Sequence, residues 1–153
     1  MRLTNIVFCL IWLLYGSLAS PTFCQPRVVG DWELGQISQE YTYQFYVTKN
    51  MTAAFEYVSP EYIQHNPFVG QCAEIAYELL SQIWPSLEIT IHHLALQSDI
   101  GWIHYRAQGS FYPVETDIVD VVRFNGSCVL EHWDVIWSLP SNTTNPLAFF
   151  GQD

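Results

Sequence analysis

The stretch DVVRFNGSCVLEHWDVI, Asp120 to Ile136, holds two runs of apolar and β-branched residues separated by Asn125-Gly126. Asn-Gly between such runs is a strong hairpin signal, because both residues accept the backbone angles of a tight turn. The pattern predicts strands over Thr116–Phe124 and Ser127–Ser138. Upstream, Leu87–Gln97 and Gly101–Gln108 are equally rich in Val, Ile, Tyr and Trp and are divided by Ser98-Asp99 and Gly101. The second half of the chain is therefore expected to form an antiparallel meander.

The first half has a different period. From Trp32 to Val47, Leu34, Ile37, Tyr41 and Phe45 recur at helical spacing. Met51–Val58 reads as a short second helix, and Gln71–Trp84 as a third, bounded by Gly70 and Pro85. Between the last two lies YIQHNP, Tyr62 to Pro67, where Pro67 forces Asn66 out of the helical region. Helices followed by an antiparallel sheet predict an α+β domain, with the helices against one face of the sheet.

The 153 residues suit one domain, and a half-hydrophobic composition with 16% aromatics excludes a disordered chain. A formal net charge of -10 argues against nucleic acid and against anionic lipid. Residues 1–19 read as a signal peptide: Arg2, an apolar run from Ile6 to Leu18, then Ser17 and Ala19 as the small pair. That run is too short to span a bilayer. Secretion, with no membrane attachment after cleavage, is the expectation. The sequons at Asn50, Asn125 and Asn142 fall in expected loops and agree with it. Residues 20–31 read as an irregular arm, 32–138 as the domain and 139–153 as a tail in which Leu147, Phe149 and Phe150 are able to dock. Cys24, Cys72 and Cys128 allow one disulfide whose pairing the sequence leaves open.

YIQHNP, SDIGWIHYR and DVVRFNGSCVLEHWDVI together resemble the SnoaL-like polyketide cyclases, of the nuclear transport factor 2-like superfamily. The resemblance covers about Trp32 to Trp137. It implies a cone in which a strongly curved sheet wraps a pocket closed by three helices, and a homodimer. It also implies intramolecular aldol chemistry on a small hydrophobic metabolite, a polyketide or terpenoid for example, with no cofactor and no metal. The chain departs from the pattern after His65-Asn66-Pro67, where Phe68-Val69-Gly70-Gln71-Cys72 replaces a glycine-rich polar turn and a lysine. The superfamily also includes proteins with no catalytic role, so a secreted binding protein using the same cavity is the alternative.

An aldol cyclisation needs a base beside a carbonyl, donors for the enolate and an acid for the new alkoxide. Asp134 matches the closing aspartate of the Glu-His-Trp-Asp motif and is the first candidate. For Asp120 two registers compete. A two-residue turn pairs Phe124 with Ser127 and points Asp120 away from the face of Asp134. A three-residue turn with a bulge brings it onto that face. The resemblance places Asp120 in the pocket, and His104 with it. Tyr62 and His65 are read as a helical lip over the cavity, and Trp102 and Trp133 as core residues or substrate platforms. Arg123 is read as a substrate contact or a partner for Glu131. Only one of His132 and Trp133 is expected to face inward, and His92-His93 reads as strand surface.

Overall fold

The computed structural model describes residues 21–150. The proposed signal peptide thus lies outside the described residues. Helix α1 spans Asp31–Thr42, with Asp31 and Glu33 in its first turn, where negative charge favours the exposed amides. It runs on as a single π-helical segment, Tyr43–Val47, that buries the adjacent side chains Phe45 and Tyr46 together. Helix α2 covers Met51–Phe55, with the Asn50 side chain accepting from the Ala53 amide at 3.2 Å. After strand β1, Val58–Gln64, comes α3, Ala73–Ile83, which ends in a 3-10 turn over Trp84–Ser86. The strands β2 (Glu88–Gln97), β3 (Ile100–Gln108), β4 (Thr116–Asn125) and β5 (Cys128–Ser138) complete the domain.

One five-stranded sheet results, in the order β1-β5-β4-β3-β2. Strands β2 to β5 form the expected antiparallel meander, but the sheet is mixed, because β1 pairs parallel to β5 through Ile63–Glu131 and Gln64–His132. Tyr62–Gln64 is accordingly strand, not helix, and α2 stops at Phe55. Pro60 is tolerated there because β1 is an edge strand. Its partner is more than 60 residues away, and local periodicity carries no trace of such pairing. Register shifts at Ile91/His93 and Arg123/Phe124 interrupt the ladders, and bulges of this kind bend a sheet.

The burial of β4 alternates without a break along Thr116, Ile118, Asp120, Val122 and Phe124. That face, with Ile103, Tyr105 and Ala107 of β3, turns toward the helices. Leu34, Tyr41, Phe45, Phe55, Ala76, Tyr77 and Trp84 meet it from the other side. The Trp84 indole N–H donates to the Phe45 carbonyl at 2.7 Å and fixes α3 to the π-helical segment. The opposite face of the sheet stays largely uncovered, with Trp102, Val135 and Trp137 exposed.

Residues 21–30 have no regular secondary structure but are tied down. Cys24 and Cys128 form a disulfide, and Cys72 lies outside it. The Cys24 amide donates to the Val58 carbonyl at 2.9 Å, and the Ser127 amide to the Arg27 carbonyl at 3.0 Å. Gly126, at φ +56°, lies so close to the arm that a Cβ there would meet the Arg27 carbonyl oxygen at 2.1 Å. At the other end of the chain Phe149 packs on Trp137, and Phe150 stacks on His92 at 4.3 Å. Leu147 remains exposed. Among the described residues no helix is long and apolar enough to cross a membrane.

Candidate functional site

Between the helices and the inner face lies a cavity of about 450 Å³. Phe45, Leu79, Leu80, Ile83 and Trp84 supply apolar wall from the helical side, with Phe68, Phe111 and Ile136 elsewhere. Its polar groups are Asp120, His132 and Asp134, with Gln64, Asn66 and several tyrosines.

Asp120 is 3% exposed and sits directly opposite Asp134 in the β4–β5 ladder. One of its oxygens, Oδ2, accepts from the hydroxyls of Tyr46 at 2.5 Å and Tyr105 at 3.2 Å. Its other oxygen lies 3.4 Å from His132 Nε2. On the far side of that ring, Nδ1 is 2.8 Å from Gln64 Oε1. The same Oε1 accepts from the Asn66 amide at 3.0 Å, so it is an acceptor and His132 Nδ1 carries a proton. A neutral ring would then aim its Nε2 lone pair at a carboxylate. Burial works against a charged ring, but the negative charges of Asp120 and Asp134 outweigh it, and the His132 pKa is raised. The imidazolium form resolves the clash. Burial first, and then the charge of Asp120, push the hydroxyls of Tyr46 and Tyr105 well above the usual tyrosine range, so both remain proton donors. Tyr112, also in the lining, is pushed up to about 12 by the same causes.

Asp134 is only partly buried and less fully satisfied. Its Oδ2 accepts from Asn66 Nδ2 at 2.5 Å. The Asn66 carbonyl oxygen accepts from the Phe68 amide at 2.7 Å, which fixes the orientation of that side-chain amide. Ligand atoms of Asp120, His132 and Asp134 lie within 4.8 Å of one another, so among the described residues these are the ones that could hold a metal ion.

The expected site residues separate by strand parity. Asp134, Asp120 and Tyr62 line the cavity; Tyr62 does so from a strand, and its hydroxyl accepts from Gln64 Nε2 at 3.1 Å. His104 does not. Ile103 and Tyr105 face inward, so His104 points to the outer face, 2.7 Å from Asp117 and 2.8 Å from His93. Trp102 shares that face and is 46% exposed. Because Asp134 is inward, His132 is inward too, and Trp133 is not. Trp133 stacks at 4.8 Å on His65, which also lies outside the cavity, 2.7 Å from Glu131. Arg123 bonds to the other oxygen of Glu131 and makes no cavity contact. Burial alone would raise the Glu131 pKa, but its bonds to His65 and Arg123 hold it below the usual carboxylate range.

Tyr46, Tyr105 and Gln64 had no role in the sequence reading. His132 follows from period two once Asp134 is fixed, and Tyr105 from the β3–β4 register, which sets Ile103 opposite Asp120. Tyr46 depends on the π-helical segment and leaves no sequence signal. Neither expected register of the hairpin is the one adopted. The turn residues are Gly126-Ser127, closed by the Asn125–Cys128 pair, and Leu130 is left without a partner.

The sheet, the helices over it and the cavity between them define a nuclear transport factor 2-like α+β fold. No protein-family model matches the chain, and no curated protein matches its sequence. Solved structures do. One is a nuclear transport factor 2-like protein of unknown function from Burkholderia xenovorans, at 11% identity and a TM-score of 0.61, covering 80% of this chain and 96% of that one. A steroid delta-isomerase from Pseudomonas aeruginosa matches at 10% identity and a TM-score of 0.59, covering 75% and 85%. A protein described as a candidate polyketide cyclase, from Acidithiobacillus ferrooxidans, matches at 15% identity and 0.53, covering 68% and 87%. These likenesses are likenesses of fold.

Proposed function

We propose that the protein is a secreted, cofactor-independent cyclase or isomerase that moves protons on a small hydrophobic carbonyl compound. The observation that carries this reading is the Asp120–His132–Asp134 group in the lining of a largely apolar cavity. Asp134, held through one oxygen by Asn66, takes a proton from the carbon beside the carbonyl. The charged His132 offers positive charge to the enolate that results, and a proton for the product oxygen. Asp120, itself held by Tyr46 and Tyr105, and Gln64 position His132, and the charges of Asp120 and Asp134 raise its pKa. His65 and His104 lie outside the cavity and have no part in this scheme. The Cys24–Cys128 disulfide and the exposure of Asn50, Asn125 and Asn142 support an oxidising, glycosylating route. The uncovered apolar sheet face supports a homodimer.

Deuterium uptake beside the carbonyl of hydrophobic ketones in heavy water, followed by nuclear magnetic resonance, tests the chemistry directly. Wild-type protein should accelerate exchange and Asp134→Asn should not. Exchange at the buffer rate with wild type across such a panel would remove the catalytic reading. The second reading, a carrier using the cavity without turnover, draws on the same apolar walls; it predicts ligand retention with no exchange.

A further inference from the structure

All four described lysines and arginines are committed away from the cavity. Arg27 pairs with Glu33, Arg106 with Glu115 and Arg123 with Glu131, while Lys49 donates to the Leu87 carbonyl. None lines the cavity. Its charged groups are two carboxylates and one imidazole, so even with His132 fully charged one negative charge is left over. Asp120 has His132 and two tyrosine hydroxyls to satisfy it. The excess therefore falls on Asp134. Among the described residues Asp134, which lines the cavity, accepts one side-chain hydrogen bond, to Oδ2 from Asn66, and none to Oδ1. Phe45, Trp84, Phe111 and Tyr112 are among the residues that line the space.

We propose that the cavity selects hydrophobic amines, binding the protonated amine at Asp134 with the hydrocarbon body against the aromatic wall. An ammonium supplies the missing positive charge and a donor for Oδ1, in a setting where charge-assisted bonds are strong. Aromatic faces add cation–π attraction. A carboxylate or phosphate ligand meets the opposite conditions: no lysine or arginine, one imidazolium already engaged by a carboxylate, and a second negative charge left over. Acidic metabolites and acyl phosphates are thereby rejected. The inference rests on the cavity being the ligand site of the preceding section, and holds whether or not turnover follows.

The test is calorimetric titration with three ligands of one shape: 1-naphthylmethylamine, 1-naphthalenemethanol and 1-naphthoic acid, at neutral pH. The amine should bind at least about tenfold more tightly than the alcohol, equivalent to about 1.4 kcal/mol, and the acid more weakly than either. Asp134→Asn should bring the amine down to the affinity of the alcohol. Asp117→Asn, which removes the same charge from the outer face, should leave the preference in place. Equal affinity of amine and alcohol for wild type, or a preference that survives Asp134→Asn, overturns the proposal while leaving the cavity as the site. Failure of all three to bind overturns it and the cavity reading together.

Discussion

Asp120 and Asp134 stand opposite each other in the β4–β5 ladder because Leu130 has no partner. Closer to the turn, Phe124 pairs with Val129. Continued without a break, that register would set Asp120 opposite Trp133 and turn Asp134 and His132 to the outer face. One unpaired residue reverses the parity of the rest of β5 and carries both side chains into the cavity.

The two aspartates should respond differently to loss of charge. Asp134→Asn keeps a group that Asn66 can bond, and turnover should fall by about 10²-fold or more while the melting temperature holds. Asp120→Asn puts an amide among Tyr46, Tyr105 and His132, where three donors expect an acceptor. Stability should drop by about 1–3 kcal/mol, the usual loss when a buried donor goes unpaired. Chemical denaturation and deuterium exchange on both variants check this. An Asp134→Asn protein that melts well below wild type yet keeps full activity per folded molecule would sink the catalytic assignment.

His132 makes stability depend on pH in a definite direction. Its pKa is raised on folding, because Asp120 and Asp134 together outweigh burial. The stabilisation is complete below the unfolded value of about 6.5 and is lost as pH rises through the raised folded value. Glu131 is the opposite case: its lowered pKa gives stability that is present above the ordinary glutamate range and lost as pH falls. Melting temperature should therefore decline from near pH 6 toward alkaline pH. His132→Gln should flatten that decline and leave the acid limb, governed in part by Glu131, intact. A wild-type profile that rises between pH 6 and 9 contradicts the charged-ring assignment.

The Val, Ile, Tyr and Trp content of β2 to β5 and the turn signal at Asn125-Gly126 made the meander legible in the sequence, with strand limits close to those observed. The helices were legible too, through the spacing of Leu34, Tyr41 and Phe45 and of Ala76, Leu79, Leu80 and Ile83. What failed was parity and partnership. His104, Trp102 and Trp133 differ from their inward neighbours by one position, and a face cannot be assigned while a bulge is unknown. Strand β1 was hidden for another reason: its stability comes from β5, far along the chain, and VSPEYIQ alternates only in part.

Association through the outer face is the third expectation. Trp137 is 62% exposed and Val135 67%, on the same face as Trp102, which is a large apolar surface to leave in water. Light scattering at micromolar concentration should give twice the mass of the chain. Trp102→Glu combined with Val135→Glu should give the single mass without unfolding the protein, since neither side chain reaches the inner core. A monomeric wild type would leave the face to another partner.

The disulfide supplies the last prediction, and it also bears on the compartment. Cys24 and Cys128 are 104 residues apart in sequence, so the bond restrains nearly the whole domain in its unfolded state. On chain-entropy grounds a loop of that length is worth about 4–5 kcal/mol, and native bonds in small secreted domains typically about 2–5. The double change Cys24→Ser, Cys128→Ser should lower stability by that amount. Gly126→Ala tests the same junction without touching sulfur. At φ +56° a Cβ is strained, and here it would strike the Arg27 carbonyl oxygen, which the Ser127 amide already holds. The arm must give way, so Gly126→Ala should destabilise the wild type strongly, and the disulfide-free protein, whose arm is freer to move, less. If the chain is exported as proposed, protein recovered from the medium begins near Ser20, carries this bond and shifts in mass with a glycosidase. Non-reducing peptide mapping reads the bond directly. Two free thiols at Cys24 and Cys128 in the exported protein would refute the pairing, and an intact Met1 would refute the export.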